Sequence, residues 1–95
     1  MRAKIRGKLW KIERTRSRKV GNGRLCGQCK LDTRTILLRQ SAKGVSELDT
    51  LIHELLHACF WDLDEEAVNE TAHDMAKILY RCGVRLDLGV WKSVK

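Results

Sequence analysis

Apolar residues recur at helical spacing through the middle of the chain, after residue 45. Positions three and four apart on an α-helix share one face. Ser46 followed by Asp49 resembles a capping box, so we predict a helix that starts at Ser46 and ends near Phe60 or Trp61. Its apolar face is predicted to contain Leu48, Leu51, Ile52, Leu55, Leu56 and Cys59.

A second helical pattern follows after a short connection. Asp64 is a suitable N-cap and Gly83 a suitable residue just past the C-terminus, which predicts a helix over Glu65–Arg81. Because the connection is short, this helix must fold back against the first. Its apolar face is predicted to contain Val68, Ala72, Met75 and Leu79, with Ala76 and Cys82 beside it.

The N-terminal part of the chain has short runs typical of β-strands. Thr35–Arg39 is an apolar run bounded by turn residues, and further strands are predicted over residues 9–13 and 24–30. Turns are predicted at residues 22–23 and 31–33. These elements predict an α+β fold, in which a small antiparallel sheet of about three strands packs on the first helix and on a second, glutamate-bearing helix.

Length and hydropathy predict one domain over residues 1–95. Residues 1–23 are its basic strand and loop region, and residues 84–95 are a tail whose Trp91 is expected to cover exposed core. No apolar run approaches the roughly 20 residues of a membrane span. The basic N-terminus leads into no long apolar segment of the kind found in signal peptides, so we expect a cytoplasmic protein without membrane contact.

Basic residues are concentrated near the N-terminus. The formal net charge is +7, and Glu13 is the only acid between Met1 and Lys30. A basic arm can hold nucleic acid or an acidic protein. The aromatic residues do not interleave with the basic ones as a base-stacking platform requires. We therefore favour a solvated loop and expect at most weak nucleic-acid contact through this region.

The spacing of the cysteines does not predict a metal or redox site. Cys26 and Cys29 form a lone C-x-x-C pair, whereas a structural zinc site normally requires a second pair. We therefore favour no metal or redox role for that pair. Cys59 and Cys82 fall at apolar helical positions and are predicted to lie in the core.

The first helix carries His53-Glu54-Leu-Leu-His57, an H-E-x-x-H pattern. Residues i and i+4 lie one above the other on a helix, so His53 and His57 direct two imidazoles at one point, where a zinc ion can bind. Zinc lowers the pKa of a bound water to about 7. Glu54 lies one step round the helix and can take the proton of that water as it attacks a carbonyl.

A catalytic zinc site needs a third protein ligand and an open position for water. The second helix offers Glu65, Glu66, Glu70 and His73. Glu65 lies near the helix start and on the face of the apolar residues, where an unpaired buried carboxylate is costly unless a cation receives it. Glu66 and Glu70 lie on a flank that looks solvated. We favour Glu65 and keep Glu66 and Glu70 as alternatives.

These residues resemble a known family. The run Asp49-Thr-Leu-Ile-His-Glu-Leu-Leu-His-Ala58, followed by Asp64-Glu-Glu-Ala-Val68, is similar to small gluzincin-type zinc metallopeptidases, in particular phage-type, SprT-like and minimal-gluzincin domains. Residues 33–79 carry the resemblance. It implies a small sheet over an active-site helix and a glutamate helix, with bound Zn²⁺. It also implies that an edge strand, here Thr35–Arg39, pairs with an extended substrate.

The resemblance leaves the third ligand open. Gluzincins often carry Asp or Asn one turn after the ligand glutamate, and both Glu65 with Asn69 and Glu70 with Asp74 fit. Asp49 lies one turn before His53. Its carboxylate either accepts a hydrogen bond from a ligand histidine or only complements the positive charge of the helix N-terminus. The oxyanion partner is not determined by the residues. The two candidates are His73 and Tyr80.

The function predicted from these residues is zinc-dependent hydrolysis of a peptide or protein substrate. His53, His57 and Glu65 bind Zn²⁺, and Glu54 is the general base that later protonates the leaving amine. Small size and positive charge leave an alternative, a zinc-stabilised binding module associated with nucleic acid. A further alternative is a latent peptidase whose cleft is occupied by the tail around Trp91.

Overall fold

The computed structural model describes residues 1–15, 27–39 and 43–86, which form a four-stranded sheet and two helices. The α+β class predicted from the hydrophobic pattern is confirmed. The strands are β1 (Arg2–Ile5), β2 (Lys8–Thr15), β3 (Gly27–Lys30) and β4 (Thr35–Arg39). The helices are α1 (Gly44–Cys59) and α2 (Glu65–Arg81).

The sheet is mixed, with strand order β1-β2-β4-β3. β1 pairs with β2 and β3 with β4 in antiparallel hairpins, whereas β2 and β4 run parallel, with Ile12 opposite Ile36. The prediction of about three strands, all antiparallel, therefore differs from the structure. The missed strand is β1, which reaches β2 through Arg6 and Gly7. Both have positive φ, 50° and 79°, as two-residue hairpin turns require, but arginine at the first turn position gives little sequence signal.

The strand order also corrects the expected substrate strand. β4 lies between β2 and β3 and is paired along both sides, so Thr35–Arg39 is not an edge strand as predicted. β3 lies at the end of the sheet on that side. The outer backbone edge of β3 is not paired with any described strand, as is also true of β1 at the other end of the sheet.

One face of the sheet packs on α1. Side chains point alternately to the two faces of a strand, and most of those on the face towards α1 are buried. This cluster consists of Ile5, Trp10, Ile12, Ile36 and Leu38 with Ala58 of α1, and Ala3, Cys29, Leu51, Leu55 and Cys59 pack against it.

The opposite face of α1 packs on α2. Leu48 and Ile52 form a second buried cluster with Ala72 and Ala76. Alanines at these positions allow the two helices to approach closely. Leu56, Leu79, Tyr80 and Leu86 complete this contact. The layers are therefore sheet, α1 and α2, with α1 in the middle.

The ends of α2 are as predicted. The Asp64 carboxylate accepts a hydrogen bond from the Ala67 backbone N–H at 3.2 Å. At the other end Gly83 has φ +94°, and its N–H donates to the Tyr80 carbonyl at 3.0 Å while the Val84 N–H donates to that of Leu79. This pair of bonds is a Schellman motif, which satisfies carbonyls that the helix leaves unpaired.

The start of α1 is not as predicted. The helix begins at Gly44, after an extended Lys43 that makes no side-chain cap, so the capping box at Ser46 is wrong. Ser46 lies inside the first turns, where its carbonyl accepts a hydrogen bond from the Thr50 hydroxyl. The first turn instead contains Glu47, whose negative charge complements the positive helix N-terminus.

Two residues predicted to lie in the core are exposed. Met75 is 42% exposed, and Cys82 is also exposed, because α2 packs along a narrow stripe of small residues. The predicted turn at residues 22–23 and the tail around Trp91 lie outside the described residues. Neither described helix has the length and apolar content needed to cross a lipid bilayer.

A buried ion pair joins the sheet to α1. The Arg14 guanidinium of β2 contacts the Glu47 carboxylate, and the two side chains are only 5% and 7% exposed. Arg14 also donates to the Arg39 carbonyl of β4 at 2.7 Å. One guanidinium thus ties β2, β4 and the start of α1 together.

We expect Glu47→Leu to lower the free energy of unfolding by about 3–5 kcal/mol, because it leaves the Arg14 charge buried without its acid. Adding Arg14→Met should recover most of that loss, since two apolar side chains can replace a buried pair. Urea denaturation measures both. Glu66→Leu, on an exposed position of α2, is the control and should change stability by about 0.5 kcal/mol or less. A double variant as unstable as Glu47→Leu would contradict this account.

Candidate metal centre

Two imidazoles meet on the side of α1 that neither the sheet nor α2 covers fully. The Nε2 atoms of His53 and His57 lie 3.1 Å apart, with the ring planes at 70°. Both side chains are largely shielded, at 14% and 22% exposure. The i, i+4 spacing on α1 produces this convergence, as the sequence pattern predicts.

α2 begins directly over these rings. Glu65, its first residue, places Oε1 3.1 Å from His53 Nε2 and Oε2 3.1 Å from His57 Nε2. The Asp64 cap fixes where the helix starts, and the alanine contact with α1 fixes how close it comes. Three side chains from two helices therefore meet, with each imidazole nitrogen beside a different oxygen of Glu65.

The donor set fits a zinc ion. Ligand atoms about 2.05 Å from a tetrahedral zinc lie about 3.3 Å from one another. The two imidazole nitrogens lie 3.1 Å apart, and each lies 3.1 Å from one of the two Glu65 oxygens. Hydrogen bonding accounts for the cluster less well. If each imidazole donates to Glu65, two N–H groups are left 3.1 Å apart, whereas a cation at the centre attracts all three donors. In the described ranges, this is the group of three that could hold a metal ion.

The other acids considered from the sequence lie elsewhere. Glu66 and Glu70 are exposed on α2, and neither belongs to the cluster. The Asp49 carboxylate lies 3.2 Å from His73 Nδ1, so its hydrogen-bond partner is on α2 rather than at His53. Asp49 and His73 thus form a bridge between the two helices, one turn away from the imidazole pair.

The two oxyanion candidates do not face the cluster. His73 is held by Asp49, and the Tyr80 ring is covered by the Arg85 guanidinium at 3.5 Å. Neither residue is among those lining the cleft beside the histidines.

Burial keeps the His53 imidazole suited to metal binding. Desolvation lowers the pKa of His53, and His57 acts in the same direction, while the Glu65 carboxylate opposes it. A lowered pKa favours the neutral ring at neutral pH. A neutral ring has a free lone pair for a metal.

Glu54 lies under the cluster rather than in it. The residue is only 5% exposed, and burial raises the pKa of its carboxyl to about 7, with the Glu65 charge acting in the same direction. A cation at the centre would act in the opposite direction and favour the carboxylate. This is the environment in which a carboxyl group exchanges protons near neutral pH.

Gly27 allows β3 to approach α1 closely at this point. A Cβ at this position would lie 2.7 Å from Thr50 Cγ2, 3.0 Å from the Leu37 carbonyl oxygen and 3.2 Å from Glu54 Cγ. Only glycine fits without displacing a neighbour. The backbone of the edge strand is thereby placed against the buried carboxyl.

A cleft of about 300 Å³ opens between β3, α1 and the start of α2. The strand side of this cleft could not be predicted from the residues, because strand order is a non-local property. Its lining residues are Gly27, Gln28, Cys29, Leu31, His53, Glu54, His57, Trp61 and Glu65.

Cys29 lines the cleft as a thiol. Burial raises the pKa of its side chain to about 11, and the charges of Glu54 and Cys59 add to that effect. The thiolate is the form that binds metals and attacks electrophiles. Cys29 is therefore inert in this state, and its partner in the C-x-x-C pair, Cys26, lies outside the described residues.

Comparisons with protein-family models, with curated proteins and with solved structures gave no match to this chain. The chemistry of the centre is therefore argued from its geometry.

We expect Glu65→Gln to weaken Zn²⁺ binding because it removes a charged donor. The loss should exceed the roughly 10–100-fold that follows when a residue that only hydrogen-bonds to a metal ligand is replaced. Competition with a chromophoric chelator measures the affinity. Glu66→Gln and Glu70→Gln remove the same charge from exposed positions of the same helix and should bind Zn²⁺ within about twofold of the parent chain. Equal losses in all three would mean that overall charge, not coordination, governs binding.

Gly27→Ala should lower the free energy of unfolding by about 1–3 kcal/mol, the usual cost of overpacking. Thr50→Ser removes the nearest methyl group and keeps the hydroxyl that donates to the Ser46 carbonyl. The double variant should therefore recover part of the loss. Chemical denaturation of the four chains gives the coupling. Strictly additive effects would show that the strand does not contact Thr50 closely.

Proposed function

We propose that this chain is a zinc-dependent metallopeptidase. The observation that carries the proposal is the meeting of His53, His57 and Glu65 at one point beside the buried Glu54. Three ligands leave one position of a tetrahedral metal for water, which distinguishes a catalytic from a structural site. The cleft next to the cluster gives a substrate access to that position.

Bound Zn²⁺ would supply Lewis acidity, polarising a peptide carbonyl and lowering the pKa of a water. His53, His57 and Glu65 would orient that chemistry towards the cleft. Glu65 carries one negative charge against the two positive charges of the metal, so the centre keeps a net positive charge that favours an oxyanion.

Glu54 would perform the proton transfers. Its carboxylate takes one proton from the attacking water while the water oxygen bonds to the carbonyl carbon. The same proton then passes to the amide nitrogen as the C–N bond breaks, which releases a carboxylic acid and an amine. The second proton of the water leaves the acid for the amine or for solvent, which gives the carboxylate.

The edge of β3 offers a way to hold an extended peptide. β3 is paired on one side by β4, and its residues Gly27–Cys29 line the cleft. A substrate that adds to this edge makes backbone hydrogen bonds whatever its sequence. Such a substrate would run past Glu54 and the ligand histidines.

The metal site also joins α1 to α2, which supports the alternative of a zinc-stabilised binding module. The two roles differ in what metal removal does. The buried clusters do not include the ligands, so a peptidase of this construction should keep its fold without zinc.

We expect Glu54→Gln to bind Zn²⁺ and unfold like the parent chain but to hydrolyse peptides about 10²–10⁴-fold more slowly, because the general base is lost. A fluorogenic peptide library measures cleavage. Glu66→Gln is the matched control and should cleave like the parent.

Chelation separates the two functions in the same assay. For a peptidase, the parent chain should lose cleavage when zinc is removed, keep its far-UV circular dichroism, and recover cleavage when zinc is returned. Loss of the fold on chelation, together with no cleavage of any library peptide by the zinc-loaded chain, would favour the binding module.

A further inference from the structure

The outward face of the sheet is not covered by either helix, because both lie on the other side. Side chains alternate along each strand, so the residues between the buried ones point to this face. Arg2, Lys4, Lys11 and Lys30 are all exposed. None of these four forms an ion pair with any residue of the described ranges.

Three of these cations form a row across all four strands. Arg2 of β1 is opposite Lys11 of β2, Lys11 is opposite Thr35 of β4, and Thr35 is opposite Lys30 of β3. Neighbouring strands are about 4.8 Å apart. The Arg2 and Lys11 backbones are therefore about 5 Å apart, and those of Lys11 and Lys30 about 10 Å.

This arrangement is unfavourable for the isolated chain. Like charges directly opposite in a sheet repel each other, and Arg2 and Lys11 form such a pair. Among the described strands, Glu13 is the acid on this face, and it lies opposite Leu37 rather than a cation. An external anion would relieve the repulsion that the strands themselves leave uncompensated.

Charge is divided unevenly between the sheet and the helices of the described residues. Residues 1–15 and 27–39 carry nine Lys and Arg against two acids, whereas residues 43–86 carry four against nine. The sheet is therefore the basic layer, and the helices with the metal centre are the acidic one. Such a separation steers a polyanion to the sheet and away from the cleft.

We propose that the outward face of the sheet binds the phosphate backbone of double-stranded nucleic acid without reading its sequence. A row of cations matches a repeating line of phosphates. The described face carries no aromatic side chain for stacking on unpaired bases. Leu9 is its one strongly exposed apolar side chain, less than the apolar surface that an anionic membrane requires.

The test is fluorescence anisotropy of a labelled 24-base-pair duplex, titrated with the full chain at several salt concentrations. The variant Arg2→Gln/Lys11→Gln/Lys30→Gln should bind at least tenfold more weakly at low salt. For this variant, the slope of log K against log salt concentration should be shallower by about one for each cation removed. The matched control, Lys43→Gln/Lys77→Gln/Arg81→Gln, removes three exposed cations from the helical side and should bind within twofold of the parent.

The stability of the variants provides a second readout. A cation that only stabilised the sheet would not weaken binding and raise stability at the same time when it is removed. Lys11→Gln alone should weaken duplex binding and raise the urea midpoint, because it removes the repulsion from Arg2. Glu13→Gln should strengthen binding. Circular dichroism confirms that each variant is folded.

Three results would overturn the proposal. One is parent-like duplex binding by the sheet variant. Another is an equal loss in the helical control, which would show that only net charge matters. The third is binding to vesicles of phosphatidylserine and phosphatidylcholine in preference to the duplex, which would make the face a membrane surface.

Discussion

The structure depends on α1 burying two faces at once. Leu51 and Leu55 pack towards the sheet, and Leu48 and Ile52 pack on α2. Successive residues of a helix are about 100° apart, so two apolar faces leave only a narrow stripe for anything else. His53 and His57 occupy that stripe. The candidate metal centre therefore lies where α1, α2 and the edge of β3 meet.

Much of this could be predicted because it is local. Helix α2 and both its ends follow from Asp64 and Gly83, whose capping bonds involve residues within a few positions. The convergence of the two imidazoles follows from the geometry of a single helix. Glu65 could be favoured because a short connection brings the start of α2 back over α1. Its side chain contacts both rings, and its role as a ligand remains a prediction.

What could not be predicted is non-local. β2 pairs in parallel with β4 although β3 lies between them in the chain, and no pattern within the strands encodes that pairing. The prediction that α1 starts at Ser46 is wrong, because a contact with the sheet, rather than a local capping box, lies at the first turn of the helix. Arg14 of β2 holds Glu47 in the first turn, so a tertiary ion pair lies where the local pattern predicts a side-chain cap. The closeness of Gly27 to Glu54 is likewise visible only once β3 has its place.

The candidate ligands and Glu54 are coupled through charge. Burial makes ionisation of the Glu54 carboxyl harder and so raises its pKa, and the nearby Glu65 charge acts in the same direction. Without a cation, Glu54 therefore holds its proton up to about neutral pH and cannot serve as a base below it. A divalent cation between Glu65 and the imidazoles reverses the sign of that field. In the proposed peptidase, Glu65 would therefore do more than complete a coordination set. A cation held there would favour ionisation of Glu54, which the Glu65 charge alone opposes, so that metal binding and basicity would arise together.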